Sequence, residues 1–126
     1  MKQLNFLICI LAIATTACSA SGNGAVNAIE AYIHALGNRD TALISNFSCA
    51  NWEKAALVEV DSLTAVETSV KDLSCQQIGQ DGDDILVSCT GVIALDYNGE
   101  AQEIDLSART YIARQEGGEW RMCGYR

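Results

Sequence analysis

The chain has a single histidine, eight basic residues against sixteen acidic ones, and no apolar run long enough to cross a bilayer. Each shortage removes a class of function. One histidine, distant in sequence from widely spaced cysteines, leaves no pattern for a metal ion, and neither metal nor cofactor is expected. A formal net charge of −8 without a basic stripe makes a surface that nucleic acid and anionic headgroups repel. Nucleic acid is therefore not an expected partner. Neither a Gly-x-Ser-x-Gly element nor a phosphate-cradling loop occurs. No repeat or low-complexity stretch divides the 126 residues, which suit one small domain.

The apolar run Phe6 to Ala14 follows a short lead containing Lys2, and at nine residues it fits the core of a signal peptide. The expected leader is 1–17. Thr15-Thr16-Ala17-Cys18 resembles the lipobox of bacterial lipoproteins. That resemblance implies a diacylated Cys18 as the new N-terminus and the membrane as a partner. Residues 18–24, with the small polar run Ser19 to Gly24, suit a flexible tether. The alternative is an ordinary secretory cut near Ala20, which removes Cys18 and releases the domain. Once Cys9 and Cys18 are assigned to leader and anchor, Cys49, Cys75, Cys89 and Cys123 remain. An even count in an exported domain reads as two disulfides, with three pairings open.

Helical spacing places Val26, Ile29, Ile33 and Leu36 on one face of a first helix, Ala25 to Leu36, ended by Gly37-Asn38. Asp40 suits the N-cap of a second helix, Thr41 to Phe47, burying Leu43, Ile44 and Phe47. Asn51 suits the cap of a third, Trp52 to Val60, with Trp52, Ala56, Leu57 and Val60 inward. Four strands follow: Ser69 to Ile78, Asp84 to Tyr97, Ala101 to Gln115 and Glu119 to Tyr125.

Two turns set the register. Asn98-Gly99 is a strong two-residue hairpin signal, and closing Tyr97 onto Glu100 puts Ile93 opposite Ile104 and Ile85 opposite Ile112. Folding about Gly82 puts Cys75 opposite Cys89, which suggests a disulfide. The Gly117-Gly118 turn puts Cys123 opposite Ile112 on the face the helices must cover, and so pairs it with Cys49. The expected fold is α+β: three N-terminal helices packed on a curved four-stranded antiparallel meander.

This layout resembles the nuclear transport factor 2-like superfamily over residues 25–126. The carriers are the opening helix Glu30 to Leu36 with its Asn38-Arg39-Asp40 break, and the closing run Gly117 to Tyr125. The likeness is to small exported bacterial lipoproteins of this type, and it implies a cone whose mouth can hold a ligand and whose sheet can form a dimer. No catalytic residue carries over. In the expected register the inner face carries Gln77, Thr110, Arg114, Arg121 and Tyr125, and Tyr32 stands at the margin of the first helix. Tyr32, Gln77, Thr110, Arg114 and Tyr125 are therefore candidates for a small-molecule ligand. Arg109, Tyr111, Trp120 and Met122 fall together on the outer face, a candidate homodimer surface. Asp96 and Asp105 read as solvated, and His34, four residues after Glu30, as an exposed helical pair. The expectation is a membrane-tethered extracytoplasmic ligand-binding or protein-interaction domain that does not catalyse. The alternative is a small acid/base enzyme of isomerase or dehydratase type using the cone.

Overall fold

A computed structural model describes residues 23–126. The leader at 1–17, the lipidation candidate Cys18 and most of the tether lie outside the described residues. Helix α1, Gly24–Gly37, buries Ile29, Tyr32, Ile33 and Leu36 as its spacing requires, and stops where Asn38 N–H donates to the His34 carbonyl at 2.9 Å. Helix α2, Thr41–Phe47, is capped by Asp40, whose carboxylate accepts from Leu43 N–H at 3.0 Å. Of its expected inward residues only Ile44 is fully buried, Leu43 being 40% exposed. Helix α3, Glu53–Ser62, lacks the expected Asn51 cap. The Cys49 carbonyl instead accepts from both Trp52 and Glu53 N–H at 2.9 Å, and so satisfies the first donors of the helix.

The sheet has five antiparallel strands, one more than expected. They are β1 (Glu67–Asp81), β2 (Asp84–Tyr97), β3 (Glu100–Asp105), β4 (Thr110–Glu116) and β5 (Glu119–Tyr125), in the order β1-β2-β4-β5 with β3 paired to β2. The expected third strand is broken by a 3-10 turn, Leu106–Ala108. Asp105 makes the break: its Oδ1 accepts from Ser107 N–H at 2.9 Å and from Ser107 Oγ at 2.7 Å, while Leu106 turns into the core.

That turn shifts the register by one residue. Ile93 lies opposite Ile104 as expected, but Ile85 faces Ala113 instead of Ile112. A one-residue shift exchanges the two faces of a strand, so Tyr111 and Ala113 are buried while Thr110 and Arg114 point the other way. A second irregularity, a bulge between Ile112 and Ala113 on the β4–β5 ladder, leaves Cys123 as the extra residue; Tyr125 then faces Tyr111, not Thr110. Cys75 does face Cys89.

The two disulfides join Cys75 to Cys89 and Cys49 to Cys123. Such bridges fit a protein that folds in an oxidising compartment. The second is flanked by a hydrogen bond from Cys49 N–H to the Met122 carbonyl at 2.8 Å and by a parallel bridge between Ser48 and Met122, which lay the α2–α3 turn along β5. On the opposite side β1 is bulged twice, between Lys71 and Ser74 and between Gln77 and Gly79. The first bulge lies across from Gly91, whose φ of +102° lets the two backbones close up. Helices and sheet enclose a core centred on Ile29, Ile33, Val60, Val87, Ile93 and Met122.

Candidate functional site

Trp52, Ala56 and Glu59 recur along one face of α3, which aims the Glu59 side chain at the sheet. Three donors from three other places meet it. Tyr125 on β5 reaches both carboxylate oxygens, at 2.8 and 2.9 Å. Tyr32 on α1 donates to Oε2 at 2.8 Å, and Arg109, just after the 3-10 turn, donates to Oε1 at 3.1 Å. Trp52 Nε1–H donates in turn to the Tyr32 hydroxyl at 3.3 Å. Aromatic packing fixes the group: Trp52 and Tyr111 each meet the Tyr125 ring edge-on with centroids 5.3 Å apart, and the Arg109 guanidinium lies 4.4 Å over that ring.

Burial, and after it the Glu59 charge, raises the phenol pKa of Tyr32 and of Tyr125 well above the ordinary range. Burial also pushes Tyr111 up, to about 12. The phenols therefore stay protonated and act as donors. A carboxylate offers about four acceptor positions, and three protons are directed at Glu59, from Tyr32, Arg109 and Tyr125, the Tyr125 hydroxyl sharing its one proton between both oxygens. Glu59 organises this cluster.

Since Tyr111 titrates higher in the folded chain than the ordinary value of 10.0, the stability that its neutral phenol contributes is complete below about pH 10 and is lost as pH rises toward about 12. Circular dichroism should accordingly show alkaline unfolding beginning above about pH 10, less steeply in Tyr111→Phe. Equal pH profiles for the two proteins would contradict this.

Beside the cluster lies a pocket of about 170 Å³. Its floor is apolar, formed by Ile33, Leu36, Ile93 and Leu106, and its mouth carries Glu59, Asp105 and Arg109. Of the five ligand candidates from the sequence, the structure brings only Tyr32 and Tyr125 to this site, and only Tyr125 lines the pocket. Gln77 is exposed on β1, Thr110 lies across from Ser88 on the other face of the sheet, and Arg114 there pairs with Asp84 at 2.6 Å. The four candidates for an outer dimer patch do not form one. Tyr111 and Met122 are buried, Arg109 belongs to the Glu59 cluster, and Trp120 packs over Gly24 at the start of α1. The register shift after Asp105 is the cause.

Glu30 does not pair with His34; its carboxylate accepts from Cys75 N–H at 3.2 Å. Sequence reasoning does not single out Glu59. Its position seven residues after Trp52 and three after Ala56, on the face read as buried, was the available signal. Among the described residues no group of three or more acidic, histidine or cysteine side chains could hold a metal, and no helix is long and apolar enough to cross a membrane.

The fold is similar to that of a SEC-C motif containing protein from Rhodopseudomonas palustris: 13% identity, 79% of this chain and 74% of that one covered, TM-score 0.50. It is also similar to the helical cell shape determining protein Pgp2 from Campylobacter jejuni, at 7% identity and TM-score 0.51, over 79% of this chain but only 38% of Pgp2. These likenesses establish a shared fold. An NTF2-like (nuclear transport factor 2-like) protein of unknown function from Cytophaga hutchinsonii also matches, at 11% identity over 81% of this chain and 89% of that one, with a TM-score of 0.40. No family model and no curated protein matches the chain.

Proposed function

We propose that this is an exported small-molecule-binding domain of nuclear transport factor 2-like type, held at the membrane by a lipid on Cys18, and that it does not catalyse. The observation that carries the binding reading is the pocket itself: an apolar floor beneath a mouth of three charged side chains. The superfamily reading is supported by the order of elements, three helices followed by an antiparallel sheet. The acid/base alternative would have to use Glu59 or Asp105; Glu59 is held by Tyr32, Tyr125 and Arg109, and Asp105 Oδ1 by Ser107, which favours a structural use of both.

Native mass spectrometry of the protein gently extracted from its own membranes tests each part. The expected mass carries diacylglycerol, two disulfides and a small molecule that leaves on activation. Ile104→Trp, which fills the pocket from its half-buried rim, should lose the small molecule and keep the lipid. Cys18→Ala should leave the protein in the soluble fraction. A wild-type protein free of any small molecule, together with unchanged binding of added aromatic probes in Ile104→Trp, would overturn the pocket reading.

A further inference from the structure

The chemistry of the mouth narrows what the pocket can hold. Arg109 sits there as an internal cation, its guanidinium 3.1 Å from Glu59 Oε1 and 4.4 Å over the Tyr125 ring. A carboxylate beside an aromatic face is the arrangement by which proteins hold organic cations. The Arg109 side chain is 53% exposed, and an ion pair so open to water contributes little, so its guanidinium can be displaced at small cost.

The neighbouring charges point the same way. Asp105 lies at the same mouth; its Oδ1 is taken by Ser107, and among the described residues it forms no ion pair. An anionic ligand would meet two carboxylates and a guanidinium already committed to one of them, on a chain of formal charge −8. A cation is drawn in by both carboxylates and by the overall field. The floor limits the rest of the ligand: about 170 Å³ is close to the size of an apolar cavity known to take one benzene ring.

Building on the pocket reading above, we propose that the ligand is a protonated amine or guanidinium with a compact apolar body, and that its cationic head displaces Arg109 from Glu59 and Tyr125. Arg109 then acts as a built-in competitor that sets how weakly or tightly such cations are held.

The test uses three probes with the same phenethyl body and different heads, phenethylamine, 2-phenylethanol and 3-phenylpropanoate, followed by calorimetry and by NMR shifts of the Ile33 and Ile93 methyl groups. Phenethylamine should bind at least about tenfold more tightly than the alcohol, and the carboxylate most weakly. Arg109→Ala should strengthen phenethylamine binding several-fold relative to the alcohol. Asp105→Asn, whose amide oxygen can still accept from Ser107 N–H, should weaken the amine about threefold relative to the alcohol. Equal binding of amine and alcohol would keep the pocket and overturn the cation inference. Tightest binding of the carboxylate, with its loss in Arg109→Ala, would overturn it too and make Arg109 an anion receptor. If no probe moves the methyl shifts, pocket and cation readings fall together.

Discussion

Changing Cys49 and Cys123 together to serine is expected to cost the folded domain about 4 kcal/mol, the chain-entropy value for a bridge closing a loop as long as their separation of 74 residues. Removing Cys75–Cys89, separated by 14, should cost roughly 3 kcal/mol by the same rule. Folded domains are stable by only about 5–15 kcal/mol, so the longer bridge is a large fraction of the total. The damage has a definite local address. Cys49 precedes Trp52 by one turn and accepts its N–H, so freeing it loosens the start of α3, from which Trp52 and Glu59 reach the tyrosines. The hydrogen bond to Met122 and the Ser48 bridge keep the α2–α3 turn on β5, and the variant should still fold in the cold. Urea unfolding of the oxidised proteins measures the difference. A loss below about 1 kcal/mol would mean that the bridge does not constrain the unfolded chain as this model requires.

Gly91→Ala is the single substitution with the largest expected effect, a loss of about 3 kcal/mol or more. Two costs combine. A φ of +102° is one that L side chains rarely adopt, and a Cβ there would stand 2.5 Å from the Lys71 carbonyl oxygen and 2.6 Å from that of Asp72. Those oxygens are backbone, part of the bulge that bends β1, and they cannot rotate aside as a side chain would. Gly99 supplies the control, with a φ of +94° and nothing within 4 Å of its would-be Cβ. Gly99→Ala should therefore cost only about 1 kcal/mol, the conformational part alone. For a domain of this size each kcal/mol shifts the melting temperature by roughly 4–8 °C, which separates the two variants clearly in a thermal scan. Equal melting temperatures would show that the close approach at Gly91 relaxes without cost.

The helices and the first hairpins were legible because each rests on a local signal. Asp40 and the spacing of the apolar residues fix α2 to the bounds expected for it, and Asn98-Gly99 sets the β2–β3 ladder. At the other hairpin Asp81 pairs with Asp84, one residue off a turn centred on Gly82, and the bulge between Gln77 and Gly79 restores the expected pairing of Cys75 with Cys89. The break after Asp105 was hidden because Leu106 and Ala108 continue the alternation begun by Ile104, so the pattern reads on through the turn. Asp105 followed two residues later by serine was the only local hint, and side chains of that type compete with the strand ladder for its backbone donors. The cost of missing it was large because strand periodicity is two. An unbroken strand puts Tyr111, Met122 and Arg109 together on the outer face, whereas the first two are buried and Arg109 stands at the mouth of the pocket. The bulge at Cys123 has one local hint, the isolated Gly124 beside it with a φ of +142°, and it returns Tyr125 to the inner face, where the unbroken register expects it for a different partner.

Of the three margins of the sheet, that of β3 is short, and those of β5 and β1 are closed by different means. β5 is overlaid by the α2–α3 turn, and β1, fifteen residues long, is broken by two bulges and carries Lys71, Asp72 and Asp81 in exposed positions. An unbroken margin of that length would be a template on which a second chain could add strand by strand, and a protein crowded against neighbours of its own kind would polymerise. Here the kinks spoil the spacing that such growth needs, and the exposed charges would have to be stripped of water to lie between two strands. The irregularities that complicate the ladder are thus what would keep many copies of the domain apart at high local density.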